Sequence, residues 1–141
     1  PYLVSDINAI EKVQRRFTKR LPGMKSLNYY QRLLKLGLES LELRRIRNDL
    51  LFTYKILFGL DHVKMSDFFE MKANDRPTRG HRYRLTAPTT KNGARYNFFS
   101  YRAMRVWNRL PPDKINFNSL TSFKRGLASD LLTSYCKVSF A

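Results

Sequence analysis

The chain has 141 residues, 43% of them hydrophobic, which is enough for the core of one domain or of two very small ones. Its 27 Lys and Arg against 11 Asp and Glu give a formal net charge of +16 and an isoelectric point near 10.4. Self-repulsion of this size opposes a compact state, so a phosphate-rich polyanion is favoured as partner over a merely soluble basic surface.

Cysteine and histidine are too scarce for a disulfide or a zinc site. Cys136 is the only cysteine, and His62 and His81 stand alone. A single cysteine forms no intrachain disulfide, which fits a reducing compartment. Structural zinc needs about four Cys or His ligands at short spacings. We therefore expect no metal and no cofactor in this segment.

No apolar run approaches the roughly 20 residues that span a bilayer. The opening PYLV has neither an initiator Met nor a charged-then-apolar leader, and begins as though cut from a longer sequence. We expect a fragment or a processed product of an intracellular protein, nuclear or cytoplasmic, with no membrane partner.

A first helix is predicted from a cap at Ser5 or Asp6 to about Leu21, where LPG ends it. Its predicted buried stripe recurs at steps of three and four residues: Ile7, Ile10, Val13 and Phe17. The opposite side carries cations, with no acid after Glu11: Lys12, Arg15, Arg16, Lys19 and Arg20. A solvated charged face and a phosphate-binding face both remain open here.

The next two helices have clear boundary signals. Asn28 with Gln31 predicts a capping box, and Gly37 predicts a left-handed C-terminal residue. Ser40 opens the longest helix, which ends at Gly59 and buries Leu43, Ile46, Leu50, Tyr54 and Leu57. Three cations lie near its start: Arg44, Arg45 and Arg47. Because positive charge at this end of a helix opposes the helix dipole, their presence favours binding of an external anion.

The segment 61–97 is irregular in pattern and rich in Thr, Asn, Gly, Pro and Arg. Tyr83 and Leu85 alternate with Arg82 and Arg84, so a short strand or hairpin is possible before Pro88, followed by a turn at 91–93. Ten basic residues and one acid lie between positions 72 and 109, the strongest charge bias in the chain. Disorder is the alternative, although the aromatic residues argue against complete disorder.

A fourth helix is predicted after a cap at Asn97 and before Pro111-Pro112. Its core stripe is Phe99, Ala103, Val106, Trp107 and Leu110, which makes Trp107 a core residue in preference to a base-stacking one. Four arginines are predicted to face solvent or phosphate: Arg95, Arg102, Arg105 and Arg109. Tyr96 and Tyr101 could serve as platforms on which bases stack. A last helix begins near Ser119 and is weakened by Gly126.

Catalytic signatures are missing from the sequence. There is no phosphate-binding glycine loop and no nucleophile–base motif. The carboxylates occur singly, whereas metal-assisted phosphoryl transfer needs several on one metal pair. We expect that the chain is not an enzyme on its own.

Five segments, in order, resemble the region after the palm in non-LTR (LINE-type) retrotransposon reverse transcriptases. They are IEKVQRRFTKRLPG, NYYQRLLKLGLESLELRRIRNDLLFTYKIL, TRGHRYRL, RYNFFSYRAMRVWNRLP and SLTSFKRGL, and they span about residues 7–132. Each is weak alone, but their order and spacing together are fairly specific. The resemblance implies a thumb and C-terminal segment of an endonuclease–reverse transcriptase, an RNA-directed DNA polymerase that acts at a nicked chromosomal site.

The resemblance also implies roles for some residues. The first helix would lie along the primer–template duplex, with its five cations as phosphate contacts. The palm motif with two adjacent aspartates has no counterpart here, so no catalytic residue is carried over. The Cys/His zinc knuckle of some elements is also missing.

We thus predict a mainly α fold, a small helical domain of about five helices with a basic irregular central segment. The expected regions are a thumb-like part at 1–60, a loop-rich connector at 61–97 and a C-terminal helical part at 98–141 packing on the first. The expected partners are RNA, DNA or their hybrid and an upstream palm/fingers domain. The predicted contacts comprise the cations named above together with Arg79.

Two alternatives remain open. The chain could be a stand-alone binding module derived from such an element. It could also be a helical protein–protein adaptor or a membrane-surface segment, because basic amphipathic helices suit anionic lipid as well.

Overall fold

The computed structural model describes residues 2–73, 79–87 and 93–138. Its α-helices are α1 (Val4–Arg20), α2 (Tyr29–Leu36), α3 (Leu41–Leu57), α4 (Phe99–Trp107), α5 (Leu120–Gly126) and α6 (Ser129–Thr133). Short 3-10 turns at Met65–Asp67 and Arg95–Asn97 lie between α3 and α4. The described residues contain no strand beyond one antiparallel bridge, Met71–Leu85, so the predicted mainly helical class is confirmed.

The chain divides into two compact units. Unit 1 comprises Pro1–Ile46 and Ser129–Ala141, and unit 2 comprises Arg47–Ala128. The division falls inside α3, whose first residues belong to unit 1 and whose remainder belongs to unit 2.

Helix α1 buries a different side from the predicted one. Ile7 is buried together with the polar Glu11 and Thr18, whereas Ile10, Val13 and Phe17 are 46%, 68% and 62% exposed. The predicted buried stripe is therefore wrong apart from Ile7. The predicted Ser5 or Asp6 cap is wrong as well, because the helix begins after Leu3 without a side-chain cap.

Polar bonds explain which side of α1 faces inward. Glu11 is fully buried, where it accepts hydrogen bonds from the Tyr29 hydroxyl and from the Leu41 N–H (2.9 Å). Gln14 donates to the Tyr29 hydroxyl at 3.0 Å and to the Glu39 carbonyl at 2.9 Å. Buried polar groups need such partners, and these bonds fix the rotation of α1 in place of its apolar residues.

Helices α2 and α3 begin where the sequence predicts. Asn28 and Gln31 form both bonds of the capping box, at 2.9 and 3.0 Å, and Gly37 adopts the left-handed conformation with φ of 63°. The Ser40 hydroxyl accepts from the Leu43 N–H at 3.2 Å. Four of the five predicted core residues of α3 are buried, and Leu57 is half-buried.

Unit 2 is built on a cluster of aromatic rings around Trp107, which is fully buried as predicted. Its ring centroid lies 5.4 Å from those of Phe117 and Phe123. Tyr54 of α3 stacks on Phe123 at 4.7 Å and donates its hydroxyl proton to the Phe117 carbonyl at 2.8 Å. Buried aromatic pairs of this kind stabilise a fold beyond the area that they bury.

Two helix boundaries in unit 2 differ from prediction. Phe98, and not Asn97, precedes α4, because Asn97 ends the 3-10 turn. Ser119 caps α5 as predicted, but that helix ends at Gly126 and α6 starts separately. A Cβ at Gly126 would lie 2.9 Å from the Lys114 carbonyl, so the close approach of this backbone requires glycine.

The central segment, for which the sequence left a short strand or hairpin open, pairs at the single bridge Met71–Leu85 and forms no strand within the described residues. The Lys72 N–H donates to the Arg84 carbonyl at 3.0 Å, and the Thr86 N–H donates to the Glu70 carbonyl at 2.7 Å. The predicted limit at Pro88 and the first two residues of the predicted turn at 91–93 lie outside the described residues.

Candidate nucleic-acid interface

Four cations of α1 lie together on its exposed surface: Lys12, Arg16, Lys19 and Arg20. None of them has an ion-pair partner among the residues that the structure describes. Arg15 is different, because it is half-buried with its guanidinium 4.9 Å from the centre of the Tyr29 ring. Helix α1 thus presents four of the five predicted cations to solvent and packs the fifth against α2.

No carboxylate lies within the stretch of α1 from Lys12 to Arg20, and the exposed Asp6 belongs to the first turn of the helix. Glu11, the acid nearest to the strip in sequence, points inward and is bonded to Tyr29 and Leu41. The sequence has no further acid until Glu39, whereas it has eight Lys or Arg in between. The exposed face of α1 therefore has a positive potential that local acids do not cancel.

A cleft of about 510 Å³ lies where α1 ends. Its lining includes the cations Lys19, Arg20 and Lys25 and the Leu21–Gly23 loop. Lys19 and Arg20 also complement the negative end of the helix dipole, so part of their role is local. The sequence reasoning missed Lys25; its position in the same stretch without acids was the signal that could have identified it.

The α3 cations have separate environments. Arg44 is exposed, as a phosphate contact requires. Arg45 is half-buried and lines a cavity of about 90 Å³ beside the buried carboxylates of Glu11 and Glu42. Arg47, in unit 2, donates to the Leu127 carbonyl next to the end of α5. Of the three, only Arg44 faces solvent freely.

In unit 2, four hydrogen bonds attach the segment 79–87 to Trp107 and Asn108 at the end of α4. Nε2 of His81 lies 2.7 Å from the Trp107 carbonyl, and the Trp107 indole N–H donates to the Tyr83 carbonyl at 2.7 Å. The Asn108 amide then accepts from the Leu85 N–H and donates to the Leu85 carbonyl, at 2.8 and 2.9 Å. This side chain pairs with the Leu85 backbone as a neighbouring strand would.

The attachment determines where the arginines of this segment lie. Arg79 and Arg82 are exposed, and the Arg82 guanidinium lies 5.1 Å from the Tyr83 ring centre. Arg84 is half-buried and donates to the Arg79 carbonyl at 3.0 Å. Leu85 is 1% exposed, whereas Tyr83 and Arg84 before it are both half-buried.

The arginines within α4 and on either side of it also differ in role. Arg102 forms a two-bond salt bridge with Asp49, at 2.7 and 3.0 Å, which ties α4 to α3. Arg105 lies over the Tyr96 ring at 4.1 Å, so one face of Tyr96 holds a guanidinium and is closed to a base. Arg95 and Arg109 are exposed.

Cys136 and Tyr29 are the two groups near the buried carboxylates of unit 1 whose pKa values are raised. Burial, and then the Glu42 carboxylate, raise the pKa of Cys136 to about 11, so its thiol stays protonated at neutral pH. Burial and the bond to Glu11 raise the pKa of Tyr29. Within 2–73, 79–87 and 93–138, no group of three or more His, Cys, Asp or Glu could hold a metal ion. No helix in these ranges is long and apolar enough to cross a membrane.

Comparison of the chain with protein-family models, curated proteins and solved structures found no match.

Proposed function

We propose that this chain binds nucleic acid through phosphate contacts, as the thumb and C-terminal segment of a LINE-type reverse transcriptase. The observation that carries the binding proposal is the α1 surface, where Lys12, Arg16, Lys19 and Arg20 are exposed while Glu11 is buried. Cations without local carboxylate partners gain most from an external polyanion, because binding releases its condensed counterions.

The spacing of these cations suits a nucleic-acid backbone. From Lys12 to Lys19 the helix rises about 10 Å, at about 1.5 Å per residue, which corresponds to about three phosphate steps of one strand along a duplex. Contacts of this type position a protein on the backbone and do not read its base sequence. This surface therefore suits RNA, DNA and their hybrid alike as ligands.

Unit 2 offers a second, separate set of exposed or partly exposed cations: Arg79, Arg82, Arg95, Arg105 and Arg109. Tyr83 and Tyr96 orient two of these guanidinium groups by cation–π contact. A guanidinium held in advance loses less side-chain entropy when it meets a phosphate. Arg47 and Arg102 are left out of the proposed contacts, since both bind intramolecular partners.

The family assignment is supported by the order of the five resembling segments. Two of these segments, TRGHRYRL and RYNFFSYRAMRVWNRLP, are joined by the bonds of Trp107 and Asn108. The segment serves as a binding part whose polymerase chemistry lies in the upstream palm.

The first test replaces the three regularly spaced α1 cations: Lys12→Gln, Arg16→Gln and Lys19→Gln. We expect weaker binding to a duplex oligonucleotide and a shallower salt dependence, by about 0.7 to 0.9 log units per lost contact per tenfold salt. Affinity is measured by fluorescence anisotropy across a salt series. The matched control, Lys64→Gln, Lys124→Gln and Arg125→Gln, removes the same charge from exposed positions outside the proposed contacts. Equal losses in both variants would contradict a defined α1 surface.

The second test concerns the thumb assignment. A thumb segment should prefer a primer–template hybrid over single strands of the same length, whereas a stand-alone basic module need not do so. Competition between hybrid, duplex and single-stranded oligonucleotides at fixed salt measures the preference. Preference for single strands would reject the thumb assignment while leaving the phosphate-binding proposal intact.

A further inference from the structure

An apolar ridge runs along the exposed side of α1. It consists of Ile10, Val13 and Phe17, which are 46%, 68% and 62% exposed, and Leu3 lies seven residues before Ile10 and is 49% exposed. Residues spaced i, i+3 and i+7 follow one another along a single side of a helix. Scattered apolar side chains on a surface need no explanation, but an aligned series indicates an interaction site.

The ridge has the width of a helix–helix seam. At about 100° per residue its three side chains occupy an arc of about 60° around the helix axis. This is narrower than the apolar stripe of roughly 100° on a helix that packs against a protein core. The spacing is that of the a, d and next a positions of a heptad, which contact one partner helix. The ridge is less suited to binding a bilayer, because helices that lie on a membrane surface bury a broad apolar face.

Charge next to the ridge restricts what can cover it. In the same heptad frame Arg16 occupies the g position and Arg20 the d position after Phe17, while Asp6 occupies the d position before Ile10. All three are exposed. The e position is Gln14, which is bonded to Tyr29 and Glu39 within unit 1. A second copy of this chain would bring a net charge of +16 and the same arginines to the seam. Electrostatic complementarity therefore favours an acidic partner.

We propose that the ridge docks an acidic amphipathic helix of a partner protein. An apolar seam of that helix would cover Ile10, Val13 and Phe17, and carboxylates beside the seam would pair with Arg16 and Arg20. This is the helix-in-groove mode of recognition, with anchors at i, i+3 and i+7. It goes beyond the proposed function, since its anchors Ile10, Val13 and Phe17 are not phosphate contacts, while Arg16 and Arg20 are shared with the proposed phosphate-binding surface.

The test uses synthetic helical peptides as probes and the full chain as receptor. The acidic peptide has Leu at every a and d position and Glu at every e and g position, and its counterpart has Lys in place of Glu. A third peptide keeps the Glu residues but has Ser at a and d. We expect the chain to bind the acidic peptide at least about tenfold more tightly than either counterpart, by fluorescence anisotropy.

Variants then locate the binding. Val13→Ser with Phe17→Ser should weaken the acidic peptide by at least about tenfold, whereas Leu34→Ser, at a 64% exposed position of α2, should not. Arg16→Glu should reverse the preference between the Glu and Lys peptides. Because the replaced side chains are exposed, circular dichroism should show unchanged folding for each variant.

The proposal is overturned if the ridge variant binds the acidic peptide as tightly as the parent chain. It is also overturned if that variant loses binding to phosphatidylserine vesicles or to oligonucleotides, or loses a concentration-dependent dimer. Each of these outcomes would assign the ridge to another occupant. Unchanged oligonucleotide binding by the ridge variant is the expected result, so this proposal and the nucleic-acid proposal fail separately.

Discussion

The guanidinium groups of Arg47 and Arg102 bind partners inside unit 2, whereas the side chains of Arg16 and Arg20 extend into solvent. All four occur in α-helices, so the neighbours of each side chain distinguish their roles. Asp49 supplies the difference for Arg102. The partner is a half-buried acid for Arg102 and a backbone carbonyl, that of Leu127, for Arg47.

His81 is the residue on which the pH response of unit 2 should depend. It is 5% exposed, and its Nε2–H donates to the Trp107 carbonyl, while Nδ1 has no hydrogen-bond partner in the described part of the chain. Burial lowers the pKa of His81 below its ordinary value of 6.5, and the nearby Arg84 charge lowers it further. A second proton on Nδ1 would be buried without an acceptor.

Acid should therefore destabilise the fold through His81. Because the pKa is lower in the folded state, protons bind first to the unfolded chain, so the His81 contribution is complete above about pH 6.5 and is lost below it. The free energy of unfolding in urea should fall by up to about 1.4 kcal/mol per pH unit in that window. His81→Gln should remove this component, and His62→Gln, at an exposed position, should keep it. An unchanged pH profile in His81→Gln would contradict the assignment.

At the scale of elements, α1 shows how polar bonds override an amphipathic pattern. Its sequence has an apolar stripe, but Glu11, Gln14 and Thr18 face the protein interior. Their partners are Tyr29, Arg32 and the start of α3, all distant in sequence from α1. The apolar residues are left exposed as the ridge.

Removal of the Glu11 carboxylate should lower the free energy of unfolding, because this carboxylate is buried and accepts two hydrogen bonds. Glu11→Ala leaves the Tyr29 hydroxyl and the Leu41 N–H without their acceptor, at a cost of about 2 to 4 kcal/mol in unfolding free energy. Lys12→Ala, one residue away and exposed, should change it by less than about 0.5 kcal/mol. Glu11→Gln should fall between them, because one acceptor oxygen remains. Urea unfolding of the three variants tests this, and similar values for Glu11→Ala and Lys12→Ala would place α1 in the predicted rotation.

At the scale of the whole molecule, the net charge of +16 must weaken the folded state through self-repulsion. Raising NaCl from about 0.1 M to about 1 M shortens the Debye length from about 10 Å to 3 Å and screens this repulsion. We expect the melting temperature of the free chain to rise with salt. The Lys64→Gln, Lys124→Gln, Arg125→Gln variant, with three fewer charges, should respond less. A melting temperature that falls with salt would show that attractive ion pairs such as Arg102–Asp49 dominate instead.

The sequence by itself determined the helical class, the starts of α2, α3 and α5, and the burial of Trp107. Capping residues act within one turn and core stripes within one helix, so both can be recognised locally. Charge composition likewise favours a polyanionic partner without reference to a fold.

Only the tertiary structure decided the rotation of α1 and the separation of structural from exposed arginines. These depend on contacts between residues far apart in the chain, such as Glu11 with Leu41 and Asp49 with Arg102. A buried carboxylate or guanidinium must find its partners wherever the fold brings them, since burial without them would cost more than an exposed apolar side chain. The exposure of the apolar ridge of α1 could therefore not be derived from the seventeen residues of that helix.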